Sequence, residues 1–533
     1  MSGLAEILDE NTALRRQLAA QSEQLAAQSE QLAALQAKFE ARERIFKLYE
    51  EKLLLIEKRR ELAQAERFIE AENQGNLFEG ADIRLPPRDS ALKSDDDDDE
   101  PKDRRRKSRA KGGHPRKGRR KLEDINLEKK TVTVPVGEIP GGEVVSTSST
   151  TSWRVEFKPS KLVLVKVVRE QKARADGTVW TAPEPFLLPR AMCGDGLLAH
   201  VACEKFDDHI PLNRQAKRFA RQGLSFGTNV LSGWLRQGFK QIRPLVSAIA
   251  RQVVEEQLVL SDDTGHPVQD RGDGQLRKGR LWVFTDQRQA FYEFSTDKKG
   301  CRPHAILDGL GFEGGTLIVD GGSEYNAVEA DLKLVRGGCW AHFRRYFTTA
   351  AVLNDEAKLI LPTFKDLFML EREWVGLSPD ERLAMRLERS APLVDGVYEF
   401  IEDMGPKLRP STLLAKACGY GLSQQSRMRL FLEDGRVPLH NNLSELLLRQ
   451  AVVGRKNWIF SRSSVGAEAS AAWYSLIASA KLQGLDPGLY LYDVFKRLPS
   501  HPSNRIGELT PLNWRIAVEA GTLMPLGWGV FPE

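Results

Sequence analysis

Three carboxylates in this 533-residue chain have surroundings suited to holding divalent metal ions. Asp262 stands at the end of the apolar run Val259-Leu260-Ser261-Asp262-Asp263-Thr264. Asp320 ends Gly315-Thr316-Leu317-Ile318-Val319-Asp320 and is followed by two glycines. Glu445 lies in His440-Asn441-Asn442-Leu443-Ser444-Glu445-Leu446, which reads as the first turns of a helix. Two acids from strand ends and one from a helix can clamp two ions about 3.5–4 Å apart, the arrangement for in-line attack on a phosphodiester. Hard oxygen donors suit Mg²⁺ or Mn²⁺ rather than zinc. Spacing alone is a weak signal, because 73 acidic residues offer many such triples. The elements that would bring these three together therefore matter.

The core around them is expected over 256–480. Leu281-Trp282-Val283-Phe284-Thr285-Asp286 and Ala290-Phe291-Tyr292-Glu293-Phe294-Ser295 read as neighbouring strands, and Gly315 to Asp320 as another. Asp262 and Asp320 would then cap adjacent strands. The 124 residues between Asp320 and Glu445 are mostly helix formers and too many for a loop. They suggest a helical insertion at about 345–430 that returns Glu445 to the aspartates. A terminal segment, 481–533, reads as the end of a helix and a Pro/Trp-rich tail.

Residues 1–73 carry heptads. One seam runs Leu4, Asn11, Leu18, Leu25, Leu32, Phe39, Phe46, Leu53, and Gln-Leu-Ala-Ala-Gln-Ser-Glu occurs at 17–23 and again at 24–30. Such a seam predicts a coiled coil that makes a homo-oligomer, most simply a dimer; the plainer alternative is a long helix packed on its own protein. Between 74 and 122 an acidic run, Asp95 to Glu100, precedes a tract in which twelve of twenty residues are Lys or Arg. Arg104, Arg105, Arg106, Lys107, Arg116, Lys117, Arg119 and Arg120 belong to it, and such a tract binds phosphate backbones without reading sequence. The other reading is a solvated linker. Net charge is only +5, so the charge distribution rather than its sum points to DNA.

Residues 123–190 alternate in β fashion and predict a small antiparallel module. Residues 191–255 turn helical, and Pro211 to Leu235 has the length and turn chemistry of a helix-turn-helix. Five scattered cysteines fit a reducing interior, and no run of about 18 apolar residues suggests a membrane span. These features predict a cytoplasmic protein.

Several blocks together resemble the insertion sequence 66 family of bacterial transposases. They are Asp262-Asp263-Thr264 with Gly279-Arg280-Leu281-Trp282-Val283, then Leu317-Ile318-Val319-Asp320-Gly321 with Tyr325-Asn326, then Cys339-Trp340-Ala341-His342-Phe343. Asn441-Asn442-Leu443-Ser444-Glu445, Gly454-Arg455-Lys456-Asn457-Trp458, Tyr474-Ser475-Leu476-Ile477 and Ala480 to Pro487 complete the order. The resemblance implies a multidomain α/β protein with a ribonuclease H-like catalytic core. It also implies an Asp-Asp-Glu triad at Asp262, Asp320 and Glu445, two Mg²⁺ or Mn²⁺ ions, DNA ends and target as partners, possible small accessory proteins of the same element, and a bacterial, nucleoid-associated location. Asp263 replaces the family's usual glutamate. His440 and Leu446 replace polar neighbours of the triad's glutamate, which bears on whether this copy is active. The family's cysteine cluster is absent, since no cysteine precedes Cys193, so no zinc is expected.

The implied activity is a transposase that frees 3′ hydroxyls and joins them to target DNA. The alternatives are a catalytically impaired DNA-binding regulator and a ribonuclease-H-type nuclease. Cys339 and His342 have a metal half-site's spacing without a second pair, so they read as active-site support or as a core helix with Trp340 turned inward. Asn441 and Asn442 are further candidates for support. Arg455 and Lys456 are candidates for phosphate contact, or else part of a polar turn ahead of a strand.

Overall fold

The computed structural model describes residues 128–136, 144–158, 161–269, 275–299 and 301–527. The expected coiled coil and the basic linker lie outside these residues. Within them, the stretches from 128 to 346 and from 360 to 527 belong to one compact unit, and Phe347–Leu359 falls outside it.

The first sheet contains β1 (Glu128–Val134), β2 (Val144–Lys158), β3 (Lys161–Arg174) and β4 (Val179–Thr181). Its order is β1-β3-β2, with β4 on β3. It is not wholly antiparallel as expected, because β1 runs parallel to β3. Three helices follow: α1 (Asp195–Phe206), α2 (Leu212–Arg221) and α3 (Thr228–Glu255). Gly223, at φ 88°, makes the turn after α2 that a side chain would oppose.

The second sheet has five strands in the order β7-β6-β5-β8-β9. These are β5 (Leu258–Val268), β6 (Arg277–Thr285), β7 (Ala290–Ser295), β8 (Thr316–Ile318) and β9 (Val335–Gly337). The β5-β6-β7 half is antiparallel, whereas β8 and β9 run parallel to β5. Parallel neighbours need crossovers, and helices supply them. Central β5 is apolar and buried from Leu258 to Leu260, as a strand covered on both faces must be.

Helix α4 (Trp340–Ala350) leaves β9, and only helical elements follow until α5 (Asn442–Trp458). The inserted helices include Leu361–Glu373, Ala391–Met404 and Leu413–Ser423. Helix α6 (Ser464–Leu482) is buried on nearly every side, which its Ala/Ser-rich sequence permits. Its Trp473 is fully buried and donates to the Leu235 carbonyl at 3.2 Å. A Cβ at Gly238 would stand 2.9 Å from that indole, so α3 and α6 approach this closely only because residue 238 is glycine.

Helix α6 also closes the open edge of β7. Ala290 N–H donates to Ser479 Oγ at 2.9 Å, and Tyr292 N–H to Ser475 Oγ at 2.8 Å. Unpaired edge groups invite association with other chains, and these serines remove that hazard. The tail holds more helix than its sequence suggests, with α7 (Pro487–Arg497) and α8 (Pro511–Glu519) following α6.

Candidate active site

The register of β5 with β8 sets the first two acids side by side. Leu258, Val259 and Leu260 pair with Thr316, Leu317 and Ile318. Asp262 and Asp320 each lie two residues beyond the last of these pairs, Asp262 still within β5 and Asp320 just past the end of β8. Contrary to expectation, Asp262 does not end its strand, because β5 continues to Val268 along β6. Only the β8 side of the ladder stops.

Asp320 sits in a turn braced from behind. Buried Arg336 donates through Nη2 to the carbonyls of Asp320 and Gly322, each at 2.8 Å, and through Nη1 to Asn326 Oδ1 at 2.8 Å. The Gly322 N–H donates to Asp320 Oδ1 at 3.1 Å. A Cβ at Gly321 would lie 2.8 Å from the Tyr420 ring, so the inserted helix Leu413–Ser423 presses directly on this turn.

Glu445 lies in the first turn of α5, whose start is tied to β5 beside Asp262. Asn441, fully buried, donates through Nδ2 to the Ser261 carbonyl at 2.8 Å. Ser444 Oγ donates to Asn441 Oδ1 at 2.8 Å, and the Asn441 N–H reaches Cys339 Sγ at 3.3 Å. Tyr292 OH holds the next turn through the Leu447 carbonyl at 2.8 Å. Together these bonds fix where Glu445 starts from.

Electrostatics show the three acids sharing one neighbourhood. Burial pushes the Asp262 carboxyl up to about 7, and the charges of Asp320, Glu445 and Asp263 push the same way. The Asp263 N–H, donating to Asp262 Oδ1 at 2.8 Å, opposes the shift. Like charges gathered around a partly desolvated carboxyl make a place where a cation is favoured.

The neighbours of Asp262 and Glu445 divide by role. Asp263, next along the pleat, turns to the other face and pairs with Arg280 at 2.6 Å and Lys298 at 3.1 Å. His342 Nε2 stands 3.3 Å from Glu445 Oε1, and Arg345 stands 3.6 Å from Oε2. Burial holds the His342 imidazole below its usual pKa. Cys339 and His342 thus both address the start of α5, and Trp340 is buried with its Nε1 donating to the Met428 carbonyl at 2.8 Å. Asn442 is exposed, and His440 stacks on Phe368 at 5.7 Å.

Glu445 Oε1 is buried without a hydrogen-bond partner, and with Asp262 and Asp320 it forms an all-oxygen donor set. Both features fit hard divalent cations. As the side chains stand, no three acid, histidine or cysteine groups among the described residues are arranged to hold an ion. Holding an ion would therefore require these side chains to move from where they stand, and Glu445 stands against His342 and Arg345.

Arg455 and Lys456 belong to the last turn of α5, not to a turn before a strand. Basic side chains also line a shallow pocket of about 350 Å³ along α2, formed by Ile210, Arg214, Lys217, Arg218 and Arg221. The basic residues of 102–121 lie outside the described residues. Sequence reasoning overlooked Arg336, although an arginine inside Leu334-Val335-Arg336-Gly337 was a usable signal of a buried polar tie. It also overlooked the bracing by Ser261, Ser444 and Tyr292, where contacts far apart in the chain left no local trace.

The sequence profile described as "Transposase IS66 family" matches residues 190–469, more than half of the chain. The chain belongs to this transposase family. A second profile, "IS66 C-terminal element", matches residues 475–512, which include α7. Three Sinorhizobium fredii (strain NBRC 101917 / NGR234) proteins are similar over most of their length. "Uncharacterized protein y4hP" is 33% identical over 399 residues, 69% of this chain and 71% of that protein. "Uncharacterized protein y4jD" is 30% identical across 69% of this chain and 75% of its own, and "Uncharacterized protein y4qI" 27% identical across 70% and 73%. Membership implies a role in DNA transposition, with DNA as the partner. No helix among the described residues is long and apolar enough to cross a membrane.

Proposed function

We propose that this transposase cuts element ends and joins the freed 3′ hydroxyls to target DNA, with Asp262, Asp320 and Glu445 as its catalytic acids. One observation carries the reading: burial raises Asp262, and the charges that add to it come from Asp320 and Glu445, acids distant in sequence but brought near through β8 and α5. The strand order, an antiparallel triplet extended by two parallel strands, supports a ribonuclease H-like core with the helical block inserted ahead of α5.

Asp262, Asp320 and Glu445 would hold two Mg²⁺ or Mn²⁺ ions, which supply charge neutralisation at the phosphorus and help deprotonate the nucleophile. The protein's part is placement. Asn441 and Arg336 hold the backbone beside the acids, so the segments that carry the carboxylates are fixed before DNA arrives. His342 and Arg345 keep Glu445 engaged until it turns inward. Water is the first nucleophile and the freed 3′ hydroxyl the second; each displaces a 3′ oxygen in line, with no covalent protein intermediate. The chain would act as a homo-oligomer through its amino-terminal heptads.

The test is end cleavage and strand transfer with Mn²⁺, comparing wild type with Asp320→Asn. Losing an acid that positions the ions removes several kcal/mol of transition-state stabilisation, at least about a thousandfold in rate. A wild type that binds the ends yet neither cuts nor joins them would instead mark a DNA-binding regulator.

A further inference from the structure

Resting on the catalytic reading above, we propose that Thr264, Arg280 and Arg455 form a seat for one DNA backbone phosphate on the strand and helix that carry Asp262 and Glu445. Thr264 lies two residues beyond Asp262 on β5, about 6.8 Å along the strand and on the same face. Arg455, from the last turn of α5, brings Nη1 to 3.5 Å from Thr264 Oγ1. Arg280 sits directly across from Gly265 in the β5–β6 ladder and shares the face of Asp263, while Arg455 reaches both Thr264 and Gly265. Over that glycine the two guanidinium groups converge. A Cβ on Gly265 would stand 3.7 Å from Arg280 Nη1 and 3.9 Å from Arg455 Nη1.

Two guanidinium groups aimed at one point repel each other unless an anion lies between them. Arg280 is half compensated, because its Nε pairs with Asp263 while Nη1 points over Gly265. Arg455 has no carboxylate partner among the described residues. An amine and an imidazole nearby are both pushed towards their neutral forms. Lys205, with no acid paired to it among the described residues, stands 3.7 Å over the Trp458 ring, and burial alone pushes its ammonium down to about 7. Burial lowers the His266 pKa to about 4, with Arg455 and Lys205 adding to the effect.

Gly265 leaves the space open, Thr264 offers a hydroxyl donor, and guanidinium nitrogens suit a phosphate better than a lone chloride. Lys278 and Lys456 are exposed nearby in sequence on β6 and α5, where a strand could continue. The seat and the acids share β5 and α5, so one rigid pair of elements would set the distance between a held phosphate and the reacting one. Phosphate contacts of this kind fix register without reading sequence.

The salt dependence of duplex binding tests the seat, using full-length protein in the Asp320→Asn background without divalent ions and a labelled duplex as probe. Each phosphate contact contributes about 0.9 to the slope of log affinity against log salt. Arg455→Gln and Gly265→Asp should each lower the slope by about one contact. The double variant should lose no more than either alone, because both disable one seat. Gly265→Asp should melt at or above the temperature of its parent, since its carboxylate would sit between two arginines. If it fails to fold, Thr264→Val with Arg455→Gln makes the same comparison.

Unchanged slopes, or losses that add in the double variant, would overturn the seat. The catalytic reading is judged separately by cleavage with Mn²⁺. An Asp320→Asn protein that still cuts would sink that reading while leaving the slopes interpretable.

Discussion

Two groups of buried carboxylates in this protein are built to opposite ends. Glu156 on β2 and Asp195 at the start of α1 lie in the core and take backbone N–H donors and a lysine from their own fold, although Glu156 Oε2 accepts no hydrogen bond. Glu156 Oε1 accepts from the N–H groups of Leu197 at 2.7 Å and Phe157 at 2.9 Å, and Asp195 accepts from the Leu187 N–H at 2.8 Å. Lys496 of α7, itself buried, pairs with Asp195 at 3.1 Å. Asp262, Asp320 and Glu445 are answered far less well. Asp262 accepts only from its neighbour's N–H in the hydrogen bonds described, and Glu445 Oε1 accepts none. A structural acid recruits donors from its own fold, whereas an acid kept for a cation is left needing one.

If the first group is structural, breaking it should cost folding rather than activity, and the cost should be the largest after the catalytic loss expected for Asp320→Asn. Lys496→Met strands two buried acids. Removing one partner of a buried pair costs about 3–5 kcal/mol. Denaturant unfolding should show that loss, and adding Glu156→Gln and Asp195→Asn should recover most of it. No recovery would mean that Lys496 acts through its packing against Phe186 and Tyr492 instead.

The pH dependence sharpens the contrast. Burial pushes Glu156 up to about 7 from the ordinary 4.5, with Asp195 pushing the same way and Lys496 opposing. A raised acid keeps its proton longer in the folded state. Its contribution to stability is therefore complete below about 4.5, fades as pH climbs to about 7, and is flat above. At 1.36 kcal/mol per unit the whole effect is at most about 3 kcal/mol. The stability difference between wild type and Glu156→Gln should follow that curve between pH 4.5 and 7. A difference independent of pH would show that Glu156 ionises in the fold at its ordinary value.

Divalent ions should separate the groups next. A ligand bound only by the folded state stabilises it by about 2.7 kcal/mol at a hundredfold excess over its dissociation constant. Mg²⁺ or Mn²⁺ should raise the melting temperature of wild type and of Glu156→Gln, but not of Asp262→Asn. An equal rise in all three proteins would place the ions elsewhere.

Much of this was legible along the chain because strands and acids leave local marks. Apolar runs flagged β5 and β8, and the Asn441–Glu445 block flagged the start of α5. Two features were hidden by their nature. Register decides that Asp262 and Asp320 come from neighbouring strands at the same level, and no single strand states its register. The length of β5 beyond Asp262 was also hidden, because the apolar run stops before Asp262 and Thr264, Gly265 and His266 carry no strand signal of their own until β6 pairs with them. The serines that close β7 were equally silent, since a serine that satisfies an edge strand looks like any other residue of a small-residue helix.

The smallest expected effect concerns a sulfur that belongs to neither group. Cys339 Sγ accepts the Asn441 N–H at 3.3 Å, and Asn441 in turn holds the Ser261 carbonyl beside Asp262. Cys339→Ser keeps an acceptor but shortens its reach, so stability should change by less than about 1 kcal/mol, the ordinary worth of one hydrogen bond. If the sulfur only fills space, cleavage should change no more than stability does. If it sets the starting position of α5, the rate should fall severalfold at unchanged DNA affinity, because Glu445 would begin its turn towards the aspartates from the wrong place. Asn441→Asp, which loses the amide donor to Ser261, should then give the same rate defect in stronger form. A matched loss of stability and rate in both variants would assign Cys339 and Asn441 to the core alone.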